Sequence, residues 1–137
     1  TLTAADLMVP VEKLHPLKPN TSLQEVICGL TQDGIGTGWV EDPTITGRLL
    51  GLITDGDLRR ALRNHNAEAW ANLDAADLMT VDPITVEADL LAVQALEQME
   101  RNRRKPISVL PVVAPVKCGG NLLGLLRLHD LVQIGLT

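Results

Sequence analysis

The sequence predicts an α/β (α+β) fold of two pseudo-symmetric β-α-β-β-α modules packed as a pair. Three observations carry that prediction: a string that recurs letter for letter, a shared order of apolar and turn segments in both halves, and a composition able to fill a core. Ala4-Ala5-Asp6-Leu7-Met8 returns as Ala75-Ala76-Asp77-Leu78-Met79, 71 residues later. A repeat is sought before anything else because overlooking one misreads the whole architecture. Ser22-Leu23-x-x-Val26 is answered by Asp89-Leu90-x-x-Val93 at an offset of 67. Gly51-Leu52-Ile53-x-x-x-Asp57-Leu58 is answered by Gly124-Leu125-Leu126-x-x-x-Asp130-Leu131 at an offset of 73. The drifting offset places the length changes in loops. Of the 137 residues, 45% are hydrophobic but only 1% aromatic, so Leu, Val, Ile and Ala must fill the core.

Each element follows from local pattern. After the AADLM turn an extended stretch is expected at 13–17 and again at 84–86. Ser22 or Asp89 then announces a helix, because a short oxygen-bearing side chain at the N-cap accepts from amides the first turn leaves free. Leu23, Val26, Ile27 and Leu30 keep the spacing of one buried helix face, as do Leu90, Val93, Leu96 and Met99. Two short strands follow, 38–41 with 48–54 in the first copy and 109–114 with 121–127 in the second. Asp42-Pro43 and Cys118-Gly119-Gly120 supply the hairpin turns. A closing helix is expected over 57–64 and 129–134.

One unit of about 60 residues is marginal by surface-to-volume scaling. Two units packed face to face about a pseudo-twofold bury enough. The division is expected between 66 and 67, giving modules 1–66 and 67–137, with 67–74 as linker. The segment 65–74, with Trp70 inside it, is expected to pack across the pair.

Charge and composition exclude several functions. Twelve Lys+Arg against 17 Asp+Glu give a net charge of −5, and phosphate-backbone binding needs clustered positive charge, so no nucleic-acid partner is expected. No apolar run reaches the roughly 20 residues of a membrane span, and the start TLTAADLM lacks the basic and apolar regions of a signal peptide. A cytoplasmic protein without a membrane partner is expected. Cys28 and Cys118 read as free thiols. His15, His65 and His129 have no ligand partner at metal spacing, so no metal site is expected. No Ser/His/Asp or Cys/His set and no P-loop is found, so no catalytic residue is assigned.

The residues that bear on function lie in Thr54-Asp55-Gly56-Asp57-Leu58-Arg59-Arg60, where an apolar strand turns into a helix. A helix N-terminus there offers amides and a positive dipole end to a phosphate. A carboxylate can accept from both hydroxyls of a ribose, and a threonine hydroxyl can reach a phosphate oxygen. Thr54-x-x-Asp57 is equally a capping box, whose side chains satisfy only the helix's own amides. Gly34-x-Gly36-x-Gly38 does not follow a strand and open a helix; it reads as a flexible loop near the cleft rather than a dinucleotide fingerprint. Arg101, Arg103, Arg104 and Lys105 read as a solvated helix end. Trp39 and Trp70 read as core or interface residues.

The repeated β-α-β-β-α order, the Gly-apolar-apolar-Thr-x-x-Asp turn and Leu110-Pro111-Val112-Val113 before the last hairpin together resemble the CBS domain family over nearly all of the chain. That resemblance implies nucleotide binding in clefts between modules, with the aspartate on ribose and the threonine on phosphate. Carried over, these roles fall on Asp57 and Thr54. The second copy keeps Asp130 but has Arg127 at the threonine position, which implies either a degenerate site or direct contact of Arg127 with a charged group. The string Thr54–Arg60, with Leu128-His129-Asp130-Leu131-x-x-x-Gly135 near the end, is also similar to the C-terminal half of arabinose-5-phosphate isomerases, which serve synthesis of the lipopolysaccharide sugar Kdo. The implied protein is a regulatory module that itself needs no cofactor. It would sense an adenine or cytidine nucleotide, or a nucleotide sugar such as CMP-Kdo, for an N-terminal sugar isomerase domain, and it would be a homo-oligomer. The alternative is a purely structural oligomerisation module without a ligand.

Overall fold

Two apolar, β-prone runs, Leu49–Thr54 and Leu122–Arg127, each fold back on the strand before them, and the rest of the chain gathers around these hairpins. The computed structural model describes residues 1–102 and 106–136. Along it run α1 (Ala4–Leu7), β1 (Val9–Pro10), α2 (Leu23–Gln32), β2 (Thr37–Glu41), β3 (Leu49–Thr54), α3 (Asp55–Asn64), α4 (Ala67–Trp70) and α5 (Ala75–Leu78). Then come β4 (Thr80–Val81), β5 (Val86–Glu87), α6 (Ala92–Arg101), β6 (Val109–Val113), β7 (Leu122–Arg127) and α7 (Leu128–Gln133). The fold is mixed α/β, as expected.

The chain forms a continuous unit, Leu14–Pro83, and a split unit, Thr1–Lys13 with Ile84 onward. The first holds a sheet of order β2-β3-β4, the second one of order β1-β7-β6-β5. These two units are cut differently from the two sequence copies. The two short strands that follow the AADLM strings are the reason. β1 pairs antiparallel with β7 (Val9 opposite Leu125), and β4 pairs antiparallel with β3 (Thr80 opposite Leu52). Each therefore completes the sheet built on the hairpin of the other sequence copy.

The repeated letters now have separate physical roles. Ala4 and Ala75 are fully buried. Asp6 accepts from the Thr3 amide at 2.8 Å and from the Thr3 hydroxyl at 3.0 Å, which hold its carboxyl below the ordinary value. Asp77 likewise accepts from the Asp74 amide at 3.0 Å, so the string is a single helical turn closed by a reciprocal cap. Leu7 and Leu78 each pack on the core of their own unit. Met8 and Met79 lie where a side chain on Gly124 or Gly51 would stand: an added Cβ would meet either sulfur at 2.7 Å. Only glycine admits that approach.

The second helix corrects the repeat alignment. Asp89 is not its N-cap; α6 starts after Leu91, whose amide donates to Gln94 Oε1 at 3.2 Å. In both units an incoming extended segment fixes the helix start. Ala92 N–H donates to Leu2 O at 2.9 Å, and Leu23 N–H to Leu73 O at 3.1 Å. Ser22 and Leu91 are thus equivalents, 69 residues apart rather than 67, which puts Ala92, Ala95, Leu96 and Met99 on the buried face. Val93, expected inside, is 53% exposed, and Ile27 is 41% exposed.

Two further expectations change. The extended stretch at 13–17 reduces to a single parallel bridge, Leu17 to Val40, after a 3-10 turn at Val11–Lys13. The linker contains α4, and Trp70 donates its indole N–H to His65 O at 3.0 Å while packing against the core of the continuous unit. The hairpin turns are as expected. In the second, Gly119 and Gly120 take φ of 102° and 66°, which side-chain-bearing residues rarely adopt.

Candidate functional site

β3 ends at Thr54, still extended at φ −110°, and the chain turns at once into α3. Both halves of a capping box form there. The Thr54 hydroxyl accepts from the Asp57 amide at 3.3 Å, and Asp57 Oδ2 accepts from the Thr54 amide at 2.9 Å and hydroxyl at 3.1 Å. Asp57 is 7% exposed, unusual for a carboxylate. Its second oxygen, Oδ1, accepts from the Thr80 hydroxyl at 3.1 Å and from the Arg60 guanidinium. Four donors thus meet one buried carboxylate, about as many as two carboxylate oxygens can accept. The sequence-predicted pair Thr54 and Asp57 is brought together, and both the ligand and the capping reading survive that geometry.

Thr80 and Arg60 were not assigned from sequence. Thr80 is delivered by β4 through its pairing with Leu52 of β3. Its one sequence signal is that a hydroxyl follows the second AADLM string where Val9 follows the first. Arg60 lies inside the singled-out string, one turn into α3, and its side chain is 41% exposed.

The corresponding corner of the split unit is built differently. Arg127 holds Asp130 with two bonds, Nε to Oδ2 at 2.9 Å and Nη2 to Oδ1 at 2.8 Å. The charged group that Arg127 contacts is the aspartate of its own turn. Among the described residues no side chain caps α7, and the two partners are 21% and 22% exposed. A bidentate pair of this kind ties up both charges.

The remaining sequence candidates take structural places. Gly34 and Gly36 have φ of 69° and 74°, and a Cβ on Gly36 would touch Asp55 Oδ2 at 3.4 Å, so the glycine loop borders the start of α3. Gly38 is a packing glycine, with Leu30 and Leu17 methyls 2.7 and 2.8 Å from where its Cβ would be. Trp39 is 3% exposed, and its buried indole N–H has no acceptor among the described residues. Arg101 is exposed in the last turn of α6; Arg103, Arg104 and Lys105 lie outside the described residues. Cys28 and Cys118 are free and exposed. His15 Nδ1 pairs with Asp33 Oδ1 at 2.6 Å, and among the described residues no group of three potential metal ligands assembles. No helix of the described residues is long and apolar enough to cross a membrane. An open groove of about 400 Å³ between α2 and α4 is lined by Leu23, Ile27, Cys28 and Trp70 and carries no charged side chain, so it offers nothing to a phosphate.

Comparison with known proteins adds to this geometry. The family model described as CBS domain matches residues 4–64 and again 75–136. Arabinose 5-phosphate isomerase KdsD of Pseudomonas aeruginosa is 37% identical over 134 residues, which are 98% of this chain and 38% of that protein. KdsD of Escherichia coli K12 is 30% identical over 136 residues, 99% of this chain and again 38% of the relative. The chain therefore spans well under half the length of these relatives. Among solved structures, CBSX2 in complex with AMP is 27% identical with a TM-score of 0.77, covering 99% of this chain and 97% of that one. CBSX2 from Arabidopsis thaliana matches at 26% identity and a TM-score of 0.74, covering 98% and 94%. The CBS domain of a bacterial CNNM/CorC family Mg2+ transporter in complex with ATP, 17% identical with a TM-score of 0.75 over 96% and 84%, shares the fold.

Proposed function

The chain belongs to the CBS domain family, and on that premise we propose that it is a regulatory pair that binds a nucleotide at the Thr54/Asp57 corner. The ligand class is an adenine or cytidine nucleotide, or a nucleotide-activated sugar such as CMP-Kdo. The pair serves a sugar isomerase domain preceding it in a longer arabinose-5-phosphate isomerase, acting in the cytoplasm toward lipopolysaccharide synthesis. The observation that carries this reading is the buried Asp57 carboxylate at a strand-to-helix turn, with two hydroxyls and a guanidinium around it. Those are the groups that ribose and phosphate recognition use. Likeness to a CBSX2 structure holding AMP supports the nucleotide class, and likeness to KdsD supports the parent enzyme. Feedback logic favours the activated end product of the pathway as the ligand.

The test is a thermal-shift and calorimetric series with AMP, ATP, CMP and CMP-Kdo. A ligand at 100 times its dissociation constant adds about 2.7 kcal/mol of stability. No stabilisation by any of the four would leave the structural reading, which the completed capping box favours: Thr54 and Asp57 then act only as caps within an oligomerisation module.

Two further outcomes are expected. The chain by itself does not interconvert ribulose 5-phosphate and arabinose 5-phosphate; turnover above the uncatalysed rate by a clean preparation would contradict this. It also associates at least into a homodimer, since Ile27, Val93 and Val132 leave apolar surface exposed on α2, α6 and α7. A monomeric mass in light scattering at high micromolar concentration would count against it.

A further inference from the structure

We propose that Arg60 makes a phosphate group obligatory in the ligand: a ribose diol gains access to Asp57 by displacing Arg60, and the phosphate of the same ligand receives the released guanidinium. This rests on the nucleotide reading above and specifies how that site selects its ligand.

Acceptor counting leads to it. A diol arrives with two donors, yet the Asp57 carboxylate already receives four. At Oδ2 the bond from the Thr54 amide belongs to the helix start and stays, while the Thr54 hydroxyl can turn its proton to a phosphate oxygen and so frees one place. The second place must come from Oδ1, which holds Thr80 and Arg60. Thr80 is seated in β4, whose backbone is paired with β3. Arg60 is held by its long side chain alone and is 41% exposed, so it is the donor free to leave.

Its destination is already defined. The guanidinium lies over the first turn of α3, with Nη1 3.5 Å from the point where a Gly56 Cβ would stand, and that same point is 3.6 Å from the Thr54 hydroxyl. A small shift takes the cation off Oδ1 without leaving the turn. An arriving nucleoside would strand the guanidinium beside a helix N-terminus, where the dipole disfavours a cation. An arriving nucleotide brings a phosphate that a planar guanidinium can hold with two charge-assisted bonds. The first turn of α3 carries Asp55 as well as Asp57, and Asp55 repels the phosphate, so the cation is needed to admit it.

The split unit supports the assignment by contrast. Position 60 corresponds there to Gln133, and the cation sits instead at Arg127, on the strand side of the turn, locked to Asp130 by two bonds. That corner has no mobile cation on the helix to exchange.

The experiment is calorimetry of AMP against adenosine and CMP against cytidine, on wild type, Arg60→Ala and Arg60→Gln. Arg60→Gln keeps a neutral donor near Asp57 in case the alanine variant is poorly folded. Wild type is expected to prefer the phosphorylated member of the pair by about a hundredfold. Both variants are expected to lose about tenfold in nucleotide affinity while nucleoside affinity holds or rises, so the preference falls to about tenfold or less, each tenfold step being about 1.4 kcal/mol. An unchanged preference in both variants, with wild type still binding nucleotide, would overturn the role of Arg60 and leave the nucleotide reading intact. Absence of binding by all four probes to wild type would overturn that reading for nucleoside monophosphates, and the Arg60 role with it.

Discussion

Gly124→Ala is expected to lower stability by about 3 kcal/mol, at the upper end of ordinary overpacking. A Cβ at this position would meet Met8 Sδ at 2.7 Å and, closer still, the carbonyl oxygen of Val9. A methionine can swing its thioether aside; a carbonyl in a strand cannot. Val9 and Pro10 are the whole of β1 and pair with Leu125 and Gly124, so relief means lifting β1 from the sheet edge. At roughly 4 °C per kcal/mol for a chain of this size, the melting temperature should fall by about 12 °C. Gly51→Ala should cost less, about 2 kcal/mol, because its closest neighbours at 2.7 and 2.9 Å are Met79 side-chain atoms, with Thr80 O also at 2.9 Å. Met79→Ala should therefore recover part of the Gly51→Ala loss, whereas Met8→Ala should recover little of the Gly124→Ala loss. Gly56→Ala is the control, since its Cβ would make only ordinary contact at 3.5 Å. A Gly124→Ala protein that melts within about 2 °C of wild type would show that β1 is not seated there.

These glycines also show how much the sequence can reveal. The repeated AADLM letters, the hairpins and the closing helices were legible, because identity and local periodicity record which segments are alike. Which hairpin a segment packs on is a long-range fact. β1 and β4 are two residues each, too short to show alternation, so the exchange of edge strands between the sequence copies left no local trace. Asp89 misled for a related reason: aspartate is a good N-cap and leucine is not. The start of α6 is nevertheless set by Leu2, a carbonyl some 90 residues away. Ala67–Trp70 was too short to read as a helix. In the site, Thr54 and Asp57 were legible because a cap and a ligand-binding turn share one spacing. Thr80 was not, since it reaches Asp57 from 23 residues away through a strand pairing. The Arg127–Asp130 lock was within reach of sequence reasoning, because residues three apart on a helical turn can meet.

Asp57→Ala is expected to cost about 3 kcal/mol of unliganded stability and to abolish nucleotide-dependent stabilisation, while Asp130→Ala should cost about 1 kcal/mol and leave that stabilisation in place. The difference follows from what each carboxylate holds. Asp57 is 7% exposed and satisfies the Thr54 amide, two hydroxyls and Arg60. Alanine there removes half of a capping box, itself worth about 0.5–2 kcal/mol, and leaves the Thr54 amide and the Thr80 hydroxyl without their acceptor. An unsatisfied buried group costs about 1–3 kcal/mol. Arg60 contributes less to the loss, because at 41% exposure it can turn to water. Among the described residues Asp130 caps nothing and holds Arg127 alone, and a long arginine freed of its partner can extend its guanidinium toward solvent. The two readings of Thr54-x-x-Asp57 agree on apo stability and part on affinity. If the corner binds the ribose of a nucleotide, Asp57→Ala removes charge-assisted bonds that no neighbouring group can replace, and the ligand-induced rise in melting temperature disappears. If it is only a cap, Asp57→Ala melts lower but keeps the wild-type rise at the same nucleotide concentration. Measuring apo stability by denaturant titration and affinity by calorimetry on both variants decides between them, and unchanged affinity in Asp57→Ala would reduce the corner to a helix cap.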